Sequence, residues 1–209
     1  MKKTLLIAGA VLLVVFAGFT CLVMNYDKAP VGFEGSEIGF SHINTRFHNA
    51  FGFNELLYKA SEYLGYLCLA VAASNAILAL RDFIRNKGRL SRMDRHHLST
   101  MCFYGAVVFF YVFFEFVIIN YRPIEMEASY PSSHTMLGLC VMFSEIALLR
   151  KYSGKLHFWG IVLQILCIVL MISIVAFRLF CGVHWLTDIA GAVLLSAGLI
   201  LLYCGDLHS

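Results

Sequence analysis

The sequence predicts an all-α, polytopic membrane protein with six transmembrane helices in one bundle. Hydrophobic residues make up 60% of its 209 residues and charged residues only 14%, whereas a soluble domain has about 45–50% apolar and about 25% charged residues. So few charges cannot cover a water-facing surface. The long apolar runs, with only 3 Pro and 16 Gly in the chain, also exclude disordered and collagen-like classes.

Six apolar stretches are long enough to cross a bilayer, which takes about 20 apolar residues in a helix. They cover residues 4–24, 58–80, 100–119, 134–149, 156–177 and 185–204. Lys2 and Lys3 before the first stretch are also typical of a cleaved signal peptide, but its length and the lack of a clear small-x-small site favour a retained anchor. Too few residues remain for a soluble domain, so we expect residues 1–209 to form one membrane-embedded domain.

The positive charges predict that both termini face the cytoplasm, because cytoplasmic loops carry an excess of Lys and Arg. With the N-terminus inside, eleven of the 16 Lys and Arg residues fall on the inner side and five on the outer side. The inner cations are Lys2, Lys3, Arg81, Arg85, Lys87, Arg89, Arg92, Arg95, Arg150, Lys151 and Lys155. Contact with anionic headgroups explains the cluster at residues 81–95 better than nucleic-acid binding does. We therefore expect a multi-pass protein of the cell membrane with no nucleic-acid partner.

The longest outer loop, residues 25–57, contains an amphipathic pattern. Phe47, Phe51 and Phe53 recur among polar residues within the segment 43–57, which is typical of a short helix lying on the membrane surface. The alternative is a partly buried loop that covers the bundle.

Five ionisable residues lie near the ends of the predicted helices, and the predicted topology places all of them on the outer side. They are Arg122, His134, Arg178, His184 and Asp188. Ionisable residues at membrane depth or at helix ends are costly and are often functional. Since these five come from separate loops, we expect the bundle to bring them together.

The segment Pro-Ser-Ser-His at residues 131–134 is typical of a helix N-terminus, where Pro and Ser are favoured. The first N–H groups of a helix lack partners and, with the helix dipole, bind anions. The hydroxyls of Ser132 and Ser133 would add donors to such a site. The alternative is that one of these serines simply caps the helix.

His184 and Asp188 are four residues apart and share a helix face. The carboxylate can orient the imidazole, as a histidine nucleophile or base requires, although a self-satisfied pair is the alternative. Arg122 and Arg178 offer planar forks that suit phosphate oxygens, whereas snorkelling anchors are the commoner use of arginine at an interface. Taken singly, each of these features therefore has a structural explanation that needs no catalytic site.

Taken together, these residues predict metal-free phosphoryl transfer. The set has neither the Cys/His or carboxylate cluster of a metal site nor a Gly-rich phosphate loop. Cations and helix N–H groups would hold the phosphate, one histidine would attack it, and the other would protonate the leaving oxygen. No metal and no cofactor are expected.

The same residues resemble the type-2 phosphatidic acid phosphatase family of membrane lipid phosphatases. That family has a Lys well upstream of Arg-Pro, then Pro-Ser-Gly-His, then Ser-Arg followed by five residues, His, three residues and Asp. The corresponding segments here are 115–123, 131–134 and 177–188. Ser133 stands where the family has Gly, and Phe177 stands where it has Ser.

The resemblance implies a role for each residue. His184 is the nucleophile that forms a phosphohistidine, Asp188 orients it, and His134 is the general acid for the leaving group. The residues that hold the phosphoryl group are Arg122, Ser132, Ser133 and Arg178. The family requires no metal, and the implied substrate is a membrane lipid phosphate or pyrophosphate reached from the outer leaflet.

The main departure from the family is Glu115, which stands at the position of the family Lys. An acid beside a phosphate repels it. Glu115 precedes Arg122 by seven residues, which is two helical turns, so we expect the two side chains to pair. The missing cation is then either absent or supplied by Arg46 or Lys59.

Two other functions remain open from the sequence. A phosphotransferase of the same fold would pass the phosphoryl group to a lipid or sugar acceptor instead of water. A non-catalytic lipid-binding or transport protein would keep the pocket without the reaction, and Glu115 is its best support.

Overall fold

The computed structural model describes residues 1–152 and 157–207, and over these ranges the chain is helical apart from turns and loops. The helices are α1 (Lys2–Asn25), α2 (Ser41–Phe51), α3 (Glu55–Arg85), α4 (Arg95–Phe116), α5 (Ser133–Tyr152), α6 (His157–Phe180) and α7 (Leu186–Leu207). The prediction of an all-α fold is confirmed, and each of the six predicted stretches coincides with most of one helix.

Five of the described helices, α1, α3, α4, α6 and α7, are long and apolar enough to cross a membrane. The exception among the six predicted spans is α5. This helix packs against α3, α4, α6 and α7, so its surroundings are largely other helices, and it carries Glu145, Arg150 and Lys151. Six spans therefore stay a prediction.

The predicted amphipathic segment is helical only in its first part. Helix α2 ends at Phe51, and Gly52 follows with a φ of 63°, in the left-handed region that glycine tolerates. Leu56 and Leu57, which the prediction joined to this segment, belong to α3 instead. Helix α2 covers only the first part of the predicted segment, because the break at Gly52 ends it before a new helix begins. A position on the membrane surface stays a prediction.

Helix α2 packs on the bundle at the junction of α6 and α7. The Asn44 amide donates to the Thr187 hydroxyl at 3.0 Å and accepts from the Thr187 backbone N–H at 3.2 Å. Phe47 and Phe51 contact the Phe180 ring. The buried Asn44 side chain therefore caps the start of α7, and α2 covers the bundle as the alternative reading of this loop proposed.

An aromatic cluster holds the loop that enters α5. Tyr130 stacks on Phe16 of α1 and meets the edge of Phe114 of α4. Its hydroxyl lies 2.8 Å from the Thr20 hydroxyl, so its polar end is also satisfied. Since Tyr130 adjoins both Ser129 and Pro131, this cluster fixes the backbone on which several candidate site residues lie.

Candidate active site

One end of the bundle gathers the residues that the sequence singled out. His184 lies in the turn between α6 and α7, and Asp188 lies in the first turn of α7. Arg178 is in the last turn of α6, and His134 is the second residue of α5. Arg122 belongs to the connection between α4 and α5. The helix ends thus bring together groups that lie more than 60 positions apart in the chain.

A narrow loop between α4 and α5 supplies two partners that sequence reasoning missed. The Ser129 N–H donates to the Asn120 carbonyl at 3.0 Å, and the Arg122 N–H donates to the Glu127 carbonyl at 3.0 Å. This pairing places the side chains of Asn120 and Ser129 next to each other, and both are buried against Asp188.

Ser129 links His184 to Asp188. Its hydroxyl donates to Asp188 Oδ2 at 2.6 Å and lies 3.0 Å from His184 Nδ1. The direct distance from Nδ1 to Oδ2 is 3.8 Å, longer than a hydrogen bond. Asp188 also accepts from the Asn120 amide at 3.1 Å and from the Trp185 N–H at 2.9 Å. The carboxylate therefore acts on the ring through a serine.

These contacts determine the tautomer of His184. A serine hydroxyl has one proton and a carboxylate only accepts, so the Ser129 proton is committed to Asp188. Nδ1 must then donate its own proton to Ser129, which leaves a lone pair on Nε2. Nε2 is buried and has no hydrogen-bond partner among the described residues. Burial lowers the pKa of His184 against the opposing effect of Asp188, which favours the neutral ring.

We predict that Ser129→Ala lowers kcat about 10–100-fold with KM little changed, because a hydrogen bond to a charged group is worth about 1.5–3 kcal/mol and Ser129 acts on His184 rather than on substrate. Steady-state kinetics of the phosphoryl transfer that the sequence predicts measure the effect. Ser74→Ala, at an exposed serine of α3, is the matched control. Wild-type kcat in Ser129→Ala would mean that Asp188 orients the ring without the serine.

Arg178 and His134 meet at a carboxylate that the sequence analysis did not single out. The Arg178 Nη2 group forms an ion pair with Glu62 Oε1, and His134 Nε2 lies 3.4 Å from the same oxygen. The Arg178 side chain is 0% exposed, and its guanidinium lies 5.4 Å from the centre of the Tyr58 ring. The only signal for Glu62 in the sequence is an acid near the start of an apolar helix.

Several buried polar atoms at this end of the bundle have no partner among the described residues. They are Ser132 Oγ, Arg178 Nε and Nη1, Arg122 Nε, His134 Nδ1 and His184 Nε2. The free Ser132 hydroxyl shows that this serine does not cap α5 with its side chain, while its N–H donates to the Asp188 carbonyl at 3.1 Å. Ser133 and His184 line one small cavity. Unsatisfied buried donors are costly, and a group of them with cationic members is what an anion site contains.

The electrostatic contacts of the histidines show how close these groups lie. The charges of Arg178, Glu62 and Arg122 all act on the His134 ring, and so does His184. Arg178 and Arg122 act on His184 as well. The site is thus one cluster of two histidines and two arginines.

Comparison with known proteins decides the family. The model of the PAP2 superfamily matches residues 62–206. This chain belongs to the PAP2 superfamily. The match spans both histidines, both arginines and Asp188, and it begins at Glu62.

One solved structure similar to this PAP2 chain is described as the first transmembrane PAP2 type phosphatidylglycerolphosphate phosphatase from Bacillus subtilis. The TM-score is 0.66 at 18% sequence identity, and the likeness covers 96% of this chain and 94% of that chain. At this identity the comparison shows a shared fold. No curated protein matches the sequence.

The expected pair between Glu115 and Arg122 does not form in this PAP2 protein. Arg122 Nη1 lies 2.6 Å from Glu125 Oε1 and 3.1 Å from Glu127 Oε2. Helix α4 ends at Phe116, so the helical spacing that predicted the pair no longer holds at Arg122. Burial acts to lower the pKa of Arg122, but the two glutamates outweigh it and raise the pKa.

Neither proposed substitute for the missing cation joins the site. Lys59 pairs with Glu55 on the exposed face of α3, at 2.6 Å. Arg46 is exposed on α2. Glu115 itself is exposed and lines an open cavity with Arg122, Ser133 and His134. This PAP2 site therefore has an acid on the wall of its open cavity, where the family motif has a lysine.

Gly182 fixes the turn before His184. Its φ is 75°, and a Cβ there would lie 2.1 Å from the carbonyl oxygen of Gly52. The Asn54 N–H donates to the Cys181 carbonyl at 2.9 Å. Only glycine fits such a conformation at such a close approach, so the link between α2 and α3 packs directly on the turn that carries His184.

Proposed function

We propose that this protein is a membrane lipid phosphate phosphatase, acting on a phosphomonoester or pyrophosphate through a phosphohistidine on His184. The observation that carries the proposal is the free Nε2 of His184, with its tautomer set by Ser129, beside buried donors that lack partners. Membership of the PAP2 superfamily supports it. In this proposal Asp188 orients His184 through Ser129.

The first step breaks the bond between phosphorus and the lipid oxygen. The Nε2 lone pair of His184 attacks phosphorus, and the leaving oxygen takes a proton from His134. Donors on the phosphoryl oxygens stabilise the charge that develops there. The proposed donors are Arg122, Ser132, Ser133 and Arg178.

The second step releases phosphate. Water attacks the phosphohistidine, His134 takes a proton from that water, and the bond between phosphorus and Nε2 breaks. Free phosphate and neutral His184 result, so no cofactor is consumed. In this mechanism the two arginines provide the positive charge that a metal ion provides in other phosphatases.

A cavity of about 290 Å³ between α3, α4 and α5 supports a lipid substrate. Its walls include Tyr66, Leu69 and Leu137, and its polar end is formed by Ser133 and His134. An apolar chain lying in this cavity would place its phosphate at the histidines. The cavity lies between predicted spans, so substrate would enter from the bilayer.

The proposed topology places this site outside the cytoplasm. With α5 as the sixth span, an even number of crossings leaves both termini on the same side. The cations near residues 81–95 lie between α3 and α4 at the opposite end from His184, which supports a cytoplasmic position for that end. The protein would then be one multi-pass domain of the cell membrane with its site at the outer leaflet.

Phosphate release from a panel of lipid phosphates in detergent tests the proposal. The panel contains phosphatidic acid, phosphatidylglycerophosphate and an isoprenyl pyrophosphate. Release by the purified protein is the expected result. Transfer of the phosphoryl group to an added lipid or sugar acceptor, without free phosphate, would indicate a phosphotransferase. No reaction with any lipid phosphate would indicate a binding protein.

We predict that a chelator such as EDTA leaves the rate of phosphate release unchanged within about twofold, because the proposed phosphate ligands are arginine and serine groups. The assay compares untreated protein with protein dialysed against EDTA. Loss of activity that added Mg²⁺ restores would contradict the metal-independent mechanism.

A further inference from the structure

Glu62 of α3 lies outside the three motifs and contacts two residues of the proposed site. We propose that Glu62 is a positioning residue, which holds His134 ready to donate a proton and holds Arg178 in place for phosphate. This inference rests on the proposed phosphatase reaction.

The ion pair with Arg178 is the first support. The Arg178 side chain is 0% exposed, and a buried charge without a counter-charge is strongly destabilising. Glu62 bonds only Nη2, while Nε and Nη1 have no partner among the described residues. Glu62 can therefore keep its bond while phosphate takes the other two nitrogens.

The packing of the His134 ring on α3 is the second support. A Cβ on Gly65 would lie 2.6 Å from His134 Cδ2 and 3.1 Å from Nε2. Glu62 and Gly65 are three residues apart, so they share a face of α3. Because glycine has no side chain, the His134 ring can pack against α3 at Gly65. Its Nε2 then lies 3.4 Å from Glu62 Oε1.

The charges around His134 give Glu62 its importance. Arg178 of α6, Arg122 of the loop before α5 and His184 of the turn before α7 all act electrostatically on the ring. Glu115 of α4 lines the cavity that His134 enters. Glu62 is the acid 3.4 Å from the ring nitrogen. A general acid must hold its proton until the leaving oxygen takes it.

Glu62→Gln tests the inference by kinetics. We expect kcat to fall at least about tenfold and the alkaline limb of its pH profile to move to a pH about one unit lower. KM should change less than kcat, because Arg178 keeps the two nitrogens that face phosphate. Glu55→Gln is the matched control, since Glu55 lies on the same helix and pairs with exposed Lys59.

Carbon-13 NMR of labelled histidine provides a readout that does not need activity. The His134 signal, assigned by its loss in His134→Gln, should titrate at lower pH in Glu62→Gln than in the wild type. Glu62→Asp keeps a counter-charge for Arg178 and provides a second variant if Glu62→Gln does not fold. With its shorter reach, it should shift the titration in the same direction by a smaller amount.

An unchanged His134 titration in either folded variant would overturn the role of Glu62. A wild-type protein that releases no phosphate from any lipid would overturn the proposed function instead. The NMR titration would still decide whether Glu62 holds the proton on His134, so the two failures are distinguishable.

Discussion

Alanine in place of His184 is expected to lower kcat for phosphate release by at least about 10⁴-fold, as removal of a nucleophile does in other enzymes. The buried Nε2 lone pair has no replacement in this position, because the other histidine of the site, His134, contacts Glu62. Phosphate release from lipid phosphates in detergent measures the loss. His42→Ala is the matched control, since the His42 side chain is 92% exposed and pairs with Asp27.

Trapping the intermediate strengthens this test. Wild-type protein quenched during turnover of a ³²P-labelled substrate should carry a phosphoryl group that is stable to base and labile to acid, as a phosphohistidine is. The His184→Ala protein should carry none. Substantial activity or labelling in His184→Ala would show that another group attacks phosphorus.

Arg178→Ala is expected to lower kcat/KM by about 10²–10⁴-fold. The change removes two buried donors, Nε and Nη1, and a hydrogen bond to a charged group is worth about 1.5–3 kcal/mol. The two bonds together therefore represent about 3–6 kcal/mol, at about 1.4 kcal/mol for each tenfold change. Arg178→Lys keeps the charge without the planar fork, so its kcat/KM should lie between the values of the wild type and Arg178→Ala.

Stability must be measured beside activity for this arginine. Arg178→Ala leaves Glu62 without its ion-pair partner, so thermal unfolding in detergent should also begin at a lower temperature. Arg46→Ala is the control, because Arg46 is an exposed cation on α2. If Arg46→Ala lost activity and Arg178→Ala kept it, the assignment of the phosphate site would be wrong.

The sequence predicted those parts of the fold that depend on local pattern. Apolar stretches of bilayer length became helices because every backbone group in a lipid environment has to be bonded within its own segment. The segment at residues 131–134 read as a helix start because Pro and Ser favour that position, and α5 begins at Ser133. The sequence did not predict the helix break at Gly52, because the pattern of aromatic residues continues across it.

The partners of the site residues needed the folded chain. Spacing alone paired Asp188 with His184 and Glu115 with Arg122. In the structure, Ser129 stands between the first two. The wrong pairing of Glu115 with Arg122 comes from treating residues near in sequence as neighbours in space, although the chain leaves the helical path after Phe116.

The sequence by itself determined the fold class, the helices and the residue types that can carry phosphoryl transfer, because apolar periodicity and helix starts are local properties. Only the tertiary structure decided which groups meet. It placed Glu62 of α3 against Arg178 of α6 and His134 of α5, and no pattern within one helix specifies such a contact. The physical reason is that a buried charge takes its partner from whichever helix packs beside it.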